Sequence, residues 1–220
     1  MRSRWMIAGV ALTLTLGLAV TADRIVAARA AGRLADRLRC AGHLDVDPDV
    51  SFTAMPFLPQ LMSRNIGTVH VQVPHVTVGQ VTAAVDATAH DVRLSDTGTM
   101  RAGSLTAEVA LAYGSDSSGR LTVPMRVELL GEPRSVIVHA APRLADGTLT
   151  LRPEEVEIPA LGLRIPAARL GDRAQARTVD LPPLPAGLQY TKAGVTSRGL
   201  QLTVTGSDLR IAAAASPGCP

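Results

Sequence analysis

From Val69 to Ile211 the chain alternates apolar and polar residues with a period of two, and nothing else in the sequence constrains its fold as strongly. Val69, Val71 and Val73 alternate with His70 and Gln72, and Ala83, Val85, Ala87 and Ala89 with Ala84, Asp86 and Thr88. Successive side chains on a strand point to opposite faces, so each run has one apolar and one polar face. Such strands make antiparallel sheet with one side wet. After Ala89 the phase reverses and Val92 and Leu94 become the apolar positions, which predicts a β-bulge near His90-Asp91. Leu105 to Leu111 and Leu121 to Leu129 continue the alternation, followed by shorter strands and a last set from Leu200 to Ile211. Asp96-Thr97-Gly98, Gly114 to Gly119, Gly131-Glu132-Pro133, Asp146-Gly147 and Gly206-Ser207-Asp208 mark turns between the runs. Asp146-Gly147 predicts a two-residue hairpin. The absence of strand–helix alternation argues against a parallel doubly wound sheet.

The N-terminus is of a different kind. Met1-Arg2-Ser3-Arg4 is short and positive, and residues Trp5 to Ala22 carry no charge. Two readings fit residues 1–22. One is a signal peptide cleaved after Val20-Thr21-Ala22; the other is an uncleaved signal anchor, just long enough to span a bilayer. Both place a single domain, 23–220, outside the plasma membrane. The Arg excess after the apolar run pulls the other way under the positive-inside rule, a vote weakened by a cleavable signal and a long translocated domain. Asp23 to Arg39 then reads as a helix, with Asp23 near its start and Arg near its end, each suiting the helix dipole. Its Arg29, Arg33 and Arg37 form a stripe, read as a solvated outer face in preference to a contact with anionic lipid. Cys40 and Cys219 are the two cysteines. An even count in an exported chain predicts one disulfide closing nearly the whole domain.

Composition and motifs narrow the function. Aromatic residues make up 2% of the chain, which excludes recognition by aromatic stacking and with it a single-strand nucleic-acid platform. No nucleophile elbow, phosphate-cradling Gly loop with Lys, or paired Cys/His spacing is present. Gly114 to Gly119 reads as a hairpin loop, His70 and His75 as surface residues, and Glu154, Glu155 and Glu157 as a solvated edge. The expectation is a protein with no catalytic residues, cofactor or metal. Inward positions of the long strands are Val, Ala and Leu. A sheet of small residues over a thin Ala-rich helix either closes on itself as a packed core or leaves a groove for an apolar ligand. Leu181 to Gly187, Leu-Pro-Pro-Leu-Pro-Ala-Gly, reads as a stiff connector.

Two segments carry a resemblance. Met55-Pro56-Phe57-Leu58-Pro59-Gln60-Leu61 is similar to the Pro-Phe-Leu-x-Gln motif of the actinobacterial LmeA-like phospholipid-binding proteins. Leu181 to Tyr190, with Val195, Gly199-Leu200, Leu202 and Gly206, resembles the C-terminal signature of the same family. Pro59 departs from the pattern, standing where the family usually has a polar residue. The resemblance implies an α+β fold, mostly antiparallel β, in which one long N-terminal helix packs against a curved, wrapped sheet, a lipid-binding β-wrap. It implies an envelope protein outside the plasma membrane that binds phospholipid and serves envelope lipid or lipoglycan biogenesis. On that reading acyl chains lie between helix and sheet. Phe57, Leu58, Leu61 and Met62 form a hydrophobic lip at the membrane surface, or else Phe57 and Leu58 plug one end of the core. Val69, Val71, Val73, Val85 and Ala87 line the wall, and Arg64 or an Arg of the helix meets the headgroup phosphate. The competing class is an envelope scaffold or adhesion module with a closed core and a protein partner.

Overall fold

The computed structural model describes residues 2–42, 44–78, 81–95, 99–129, 132–171 and 175–212, with residues 2–15 described by their backbone. Helix α1 (Arg2–Gly42) opens the chain, and α2 (Phe57–Met62) follows the first strand. One sheet has the order β1 (Asp49–Phe52), β2 (Asn65–Val78), β3 (Val81–Leu94), β4 (Thr99–Leu111), β12 (Gly199–Ala212), β11 (Leu188–Thr196). The other runs β10 (Arg177–Val179), β8 (Thr148–Ile158), β7 (Glu132–Ala145), β6 (Leu121–Leu129), β5 (Gly114–Ser115), with β9 (Leu163–Pro166) also on β8. The registers among β1–β2, β11–β12 and the strands of the second sheet are all antiparallel. Neither sheet closes into a barrel. The fold is α+β, mostly antiparallel sheet with one long N-terminal helix, as the alternation requires.

Contacts divide the chain into two compact units. The first holds 1–73, 86–105 and 207–220; the second holds 74–85 and 106–206. In the first unit α1 packs on β1 and α2, and Ala27, Val50, Phe57, Ile66, Val69 and Val92 are among its buried residues. In the second unit Leu121, Leu149, Leu200 and Leu202 form the core, with Leu111, Leu144, Leu181 and Tyr190 packed against it.

The helix differs from the expected Asp23–Arg39. It is one uninterrupted segment of 41 residues, about 60 Å long at 1.5 Å per residue. No proline falls between Trp5 and Gly42, and Ala and Leu dominate, so nothing breaks the hydrogen-bond ladder where the apolar run meets the charged one. Residues 16–22 are all exposed, and Asp23 is the first buried residue after them. Among the described side chains no helix is long and apolar enough to cross a membrane; the uncharged run 5–22 lies mostly ahead of them. Past the last turn, Arg39 Nη1 donates to Asp47 Oδ1 at 2.7 Å, holding the chain as it turns toward β1.

The phase reversal in β3 has a visible cause. Asp91 adopts φ 53°, and Ala83 before it and Val92 after it are both buried despite their opposite parity. Gly103 of β4 lies against this point, where a Cβ would come within 3.0 Å of Asp91 Cβ. The Asp146-Gly147 turn has φ 50° and 73° and joins Ala145 to its cross-strand partner Thr148. Two left-handed residues in a two-residue loop match the right-handed twist of the flanking strands.

Candidate functional site

The Met55–Leu61 motif forms the corner between β1 and β2. Pro56 is the N-cap of α2, so Pro59 falls in the first helical turn, where a missing N–H costs nothing. The departure at Pro59 therefore leaves the helix intact. The exposed donors of that turn are met by a side chain from another element: Asp23 Oδ1 of α1 accepts from Leu58 N–H at 2.7 Å. The Leu58 N–H and then the Phe57 N–H, aided by Arg24 and against partial desolvation, hold the Asp23 carboxyl below the usual carboxylate range. Asp23 thus sits inside α1 and caps α2, and does not open its own helix as expected from the charge pattern. Gln60 ties the other end. Its Nε2 donates to the Pro56 carbonyl and its Oε1 accepts from Gly67 N–H, both at 2.9 Å.

The four proposed lip residues separate. Phe57 is 1% exposed, and its ring packs on Phe52 with centroids 4.7 Å apart. Leu58 and Leu61 are half-buried. Met62 is 85% exposed, and Met55, at the other side of the corner, is also open. Arg64 follows α2 with φ 55°, and its carbonyl accepts from Leu94 N–H at 3.0 Å, which fixes the corner to β3.

The proposed wall is ordered by the polar face behind it. His70 Nδ1 and Thr88 Oγ1 lie 3.0 Å apart, Thr68 Oγ1 and His90 Nδ1 3.1 Å apart, and Gln72 Nε2 donates to Asp86 Oδ2 at 2.9 Å. These pairs put 68, 70 and 72 beside 90, 88 and 86 on one face. Alternation then sends Val69, Val71, Ala87 and Ala89 to the opposite face. On β1, Val50 pairs with Val71 and Phe52 with Val69, so they join that face, and Phe52 carries the ring of Phe57. Val69 and Val73 are buried; Val71 and Ala87 are half-buried. Val85, also half-buried, belongs to the second unit. Cys40 lies in the last turns of α1; Cys219, and with it the proposed pairing, lies outside the described residues.

Two features of the second unit escaped the sequence reading. The Leu181–Tyr190 segment lines a shallow groove of about 580 Å³ together with the Asp146-Gly147 turn, and Tyr190 Oη donates to the Pro182 carbonyl at 3.0 Å. Burial raises the Tyr190 hydroxyl above its ordinary value. The other feature is a charged cluster that joins the loop before β6 to β7, β8 and β9. His139 is 3% exposed, with Nδ1 2.8 Å from Asp116 Oδ2 and Nε2 3.2 Å from Glu157 Oε2. Arg120 bridges Asp116 and Glu155, and Arg164 holds Glu157. Desolvation pushes the Asp116 carboxyl up. The Arg120 N–H, the His139 ring, the Arg120 guanidinium and the Ser118 N–H outweigh it and hold the group far below the carboxylate range. Glu155 and Glu157 are thus members of an ion network and not a solvated edge. Nothing in the spacing of 116, 120, 139 and 157 announces this; only strand register brings them together. Among the described residues no group of three or more His, Cys, Asp or Glu could hold a metal ion.

No curated protein and no solved structure matches the chain. One family model does, and it spans residues 21–205. That match takes in α1 from just before Asp23, the α2 corner with its Phe57 and Gln60 contacts, and the Leu181–Tyr190 segment. The chain belongs to the LmeA-like phospholipid-binding family.

Proposed function

We propose that this protein binds phospholipid without transforming it, outside the plasma membrane, in the building or upkeep of envelope lipids and lipoglycans. The observation that carries the reading is the family match over residues 21–205. The first unit supports it chemically. Val69, Val71 and Ala87 share a face of small apolar side chains, and Val50 and Phe52 extend it beside α1. Acyl chains need such a lining, with few polar groups to desolvate. The headgroup would be met by charge-assisted hydrogen bonds from an Arg of α1 or from Arg64. In the same reading Cys40 and Cys219 form a disulfide that closes the exported domain.

One observation favours the alternative, an envelope scaffold with a closed core: Phe57, Val69 and Val73 are buried by the protein's own side chains and backbone. Native mass spectrometry of the full chain, released from an exporting bacterial host without organic solvent, separates the two. A mass excess that solvent extraction removes and that matches a phospholipid is the expected result. A bare chain mass would favour the scaffold. The same spectrum reads the cysteines, since a disulfide leaves the chain two hydrogens light.

A further inference from the structure

We infer that α1 is retained in the working protein and that it, with the α2 corner, seats the domain on a phospholipid bilayer, Arg24 taking a lipid phosphate. The inference deepens the proposed function by naming the surface that meets the lipid source, and it is tested separately from ligand binding.

The surface is defined by what stays uncovered. Every residue from Leu16 to Ala22 is exposed, and Leu16, Leu18, Val20 and Ile25 are large apolar side chains left open. At 100° per residue Leu16 and Val20 share one side of the helix, while Leu18 and Ile25 share the opposite side. A protein groove covers one face. A helix apolar on both sides belongs inside a core or inside lipid, and of the residues from 16 onward Asp23 is the first that the domain buries. The sequence ahead agrees: Trp5 to Ala22 holds no charge, and as helix it is about 27 Å long, close to the hydrocarbon thickness of about 30 Å. A second protein would explain one exposed face; a bilayer explains both.

Charge begins where the headgroups would lie. Asp23 directs its carboxylate inward to the N–H groups of α2. Arg24 is left with Nε and Nη2 closed to solvent and without an acceptor. The nearest carboxylate oxygen, Asp23 Oδ2, is 3.9 Å from Nη2, too far for a hydrogen bond. The Arg24 side chain as a whole is 41% exposed, so a rotation of the guanidinium toward solvent would bring its unpaired N–H groups to a phosphate, which supplies the missing acceptor. The Asp23–Leu58 bond holds the α2 corner at this same level of the helix. Met55 and Met62, both exposed, flank that corner with flexible apolar side chains suited to the bilayer interface.

The test uses the full chain carrying Trp5→Phe and Met62→Trp, reconstituted in phosphatidylcholine vesicles with or without phosphatidylglycerol. Lipids brominated near the top of the acyl chain are the quencher. The expected result is at least about twofold quenching of the single tryptophan, as for an apolar side chain at the headgroup boundary. Arg24→Gln should lower the quenching in both kinds of vesicle, since phosphatidylcholine and phosphatidylglycerol carry the same phosphodiester. N-terminal sequencing of the protein from native membranes should give an N-terminus ahead of Trp5. An N-terminus at Asp23 overturns the inference, as does unquenched emission from a folded protein. Unchanged quenching for Arg24→Gln in both vesicles removes the phosphate role. Met55→Trp gives a second reporter if Met62→Trp fails to fold. Bound lipid with an unquenched tryptophan overturns the seating alone; a quenched tryptophan on a lipid-free chain overturns the proposed ligand alone.

Discussion

At the residue scale, the Phe57-Leu58-Pro59-Gln60 segment works through a division of labour. Phe57 is buried on Phe52 and Met62 stands open, although both belong to the one six-residue helix α2. Phe57→Ala should therefore cost about 3–5 kcal/mol in urea unfolding, the range for truncating a buried aromatic. Met62→Ser should leave the midpoint nearly unchanged while lowering affinity for phosphatidylglycerol vesicles; equal midpoints for the two variants would sink this division. Asp23 gives a second expectation. Its folded pKa is depressed, first by the Leu58 N–H and then by the Phe57 N–H. A depressed carboxylate contributes stability that is present above the unfolded carboxylate value and is lost as pH falls through the folded one. Urea midpoints measured from pH 7 down to pH 3 should fall less steeply for Asp23→Asn than for the parent chain. Identical slopes would mean that the cap is not charged. The charge pattern marked Asp23 as a helix-end residue. Its true partner comes from 35 positions away, and no local rule could find it.

Local rules succeeded where elements are made by local geometry. The reversal of apolar phase at His90-Asp91 was legible because a strand has a strict period of two, and Asp91 has its positive φ at that point. The Asp146-Gly147 turn was legible because few residues tolerate two successive left-handed conformations. The Asp116–His139–Glu157 cluster was not, because it depends on the register of β6, β7 and β8 and on a loop folding back over them. Gly199 shows the same limit inside a motif. The resemblance marked it without a reason; the structure supplies one. Its φ is 114°, and a Cβ would run into the Leu111 carbonyl and the backbone of Tyr113. Gly199→Ala should thus cost at least about 2 kcal/mol, strain and collision together. Gly194, in the neighbouring strand with open space where a Cβ would go, is the control, since Gly194→Ala should change the unfolding free energy by less than about 1 kcal/mol. Similar losses at both positions would show that the close approach at Gly199 is relieved.

At the scale of the whole molecule, the division into two units could not be read from composition, because it does not follow chain order. β2, β3, β4 and β12 each supply residues to both units, so no linker or change in residue usage marks a border. The division makes ligand removal informative. The proposed wall residues Val69, Val71 and Ala87 lie in the first unit, whereas Leu121, Leu149, Leu200 and Leu202 form the core of the second. A ligand that binds only the folded state stabilises it by mass action, about 2.7 kcal/mol at a hundred times its dissociation constant. That stabilisation falls on the amides whose opening releases the ligand. Extracting lipid without unfolding the chain should lower the melting temperature. Amide exchange should speed up in β2 from Asn65 to Val73 and in β3 from Asp86 to Leu94. The β7–β8 hairpin, with its ion network and Leu149, should exchange at its former rate. Acceleration confined to Leu181–Tyr190 would instead place the lipid in the groove of the second unit. An unchanged exchange pattern, with no shift in melting temperature, would mean that the extracted lipid had not been bound to the folded chain at all.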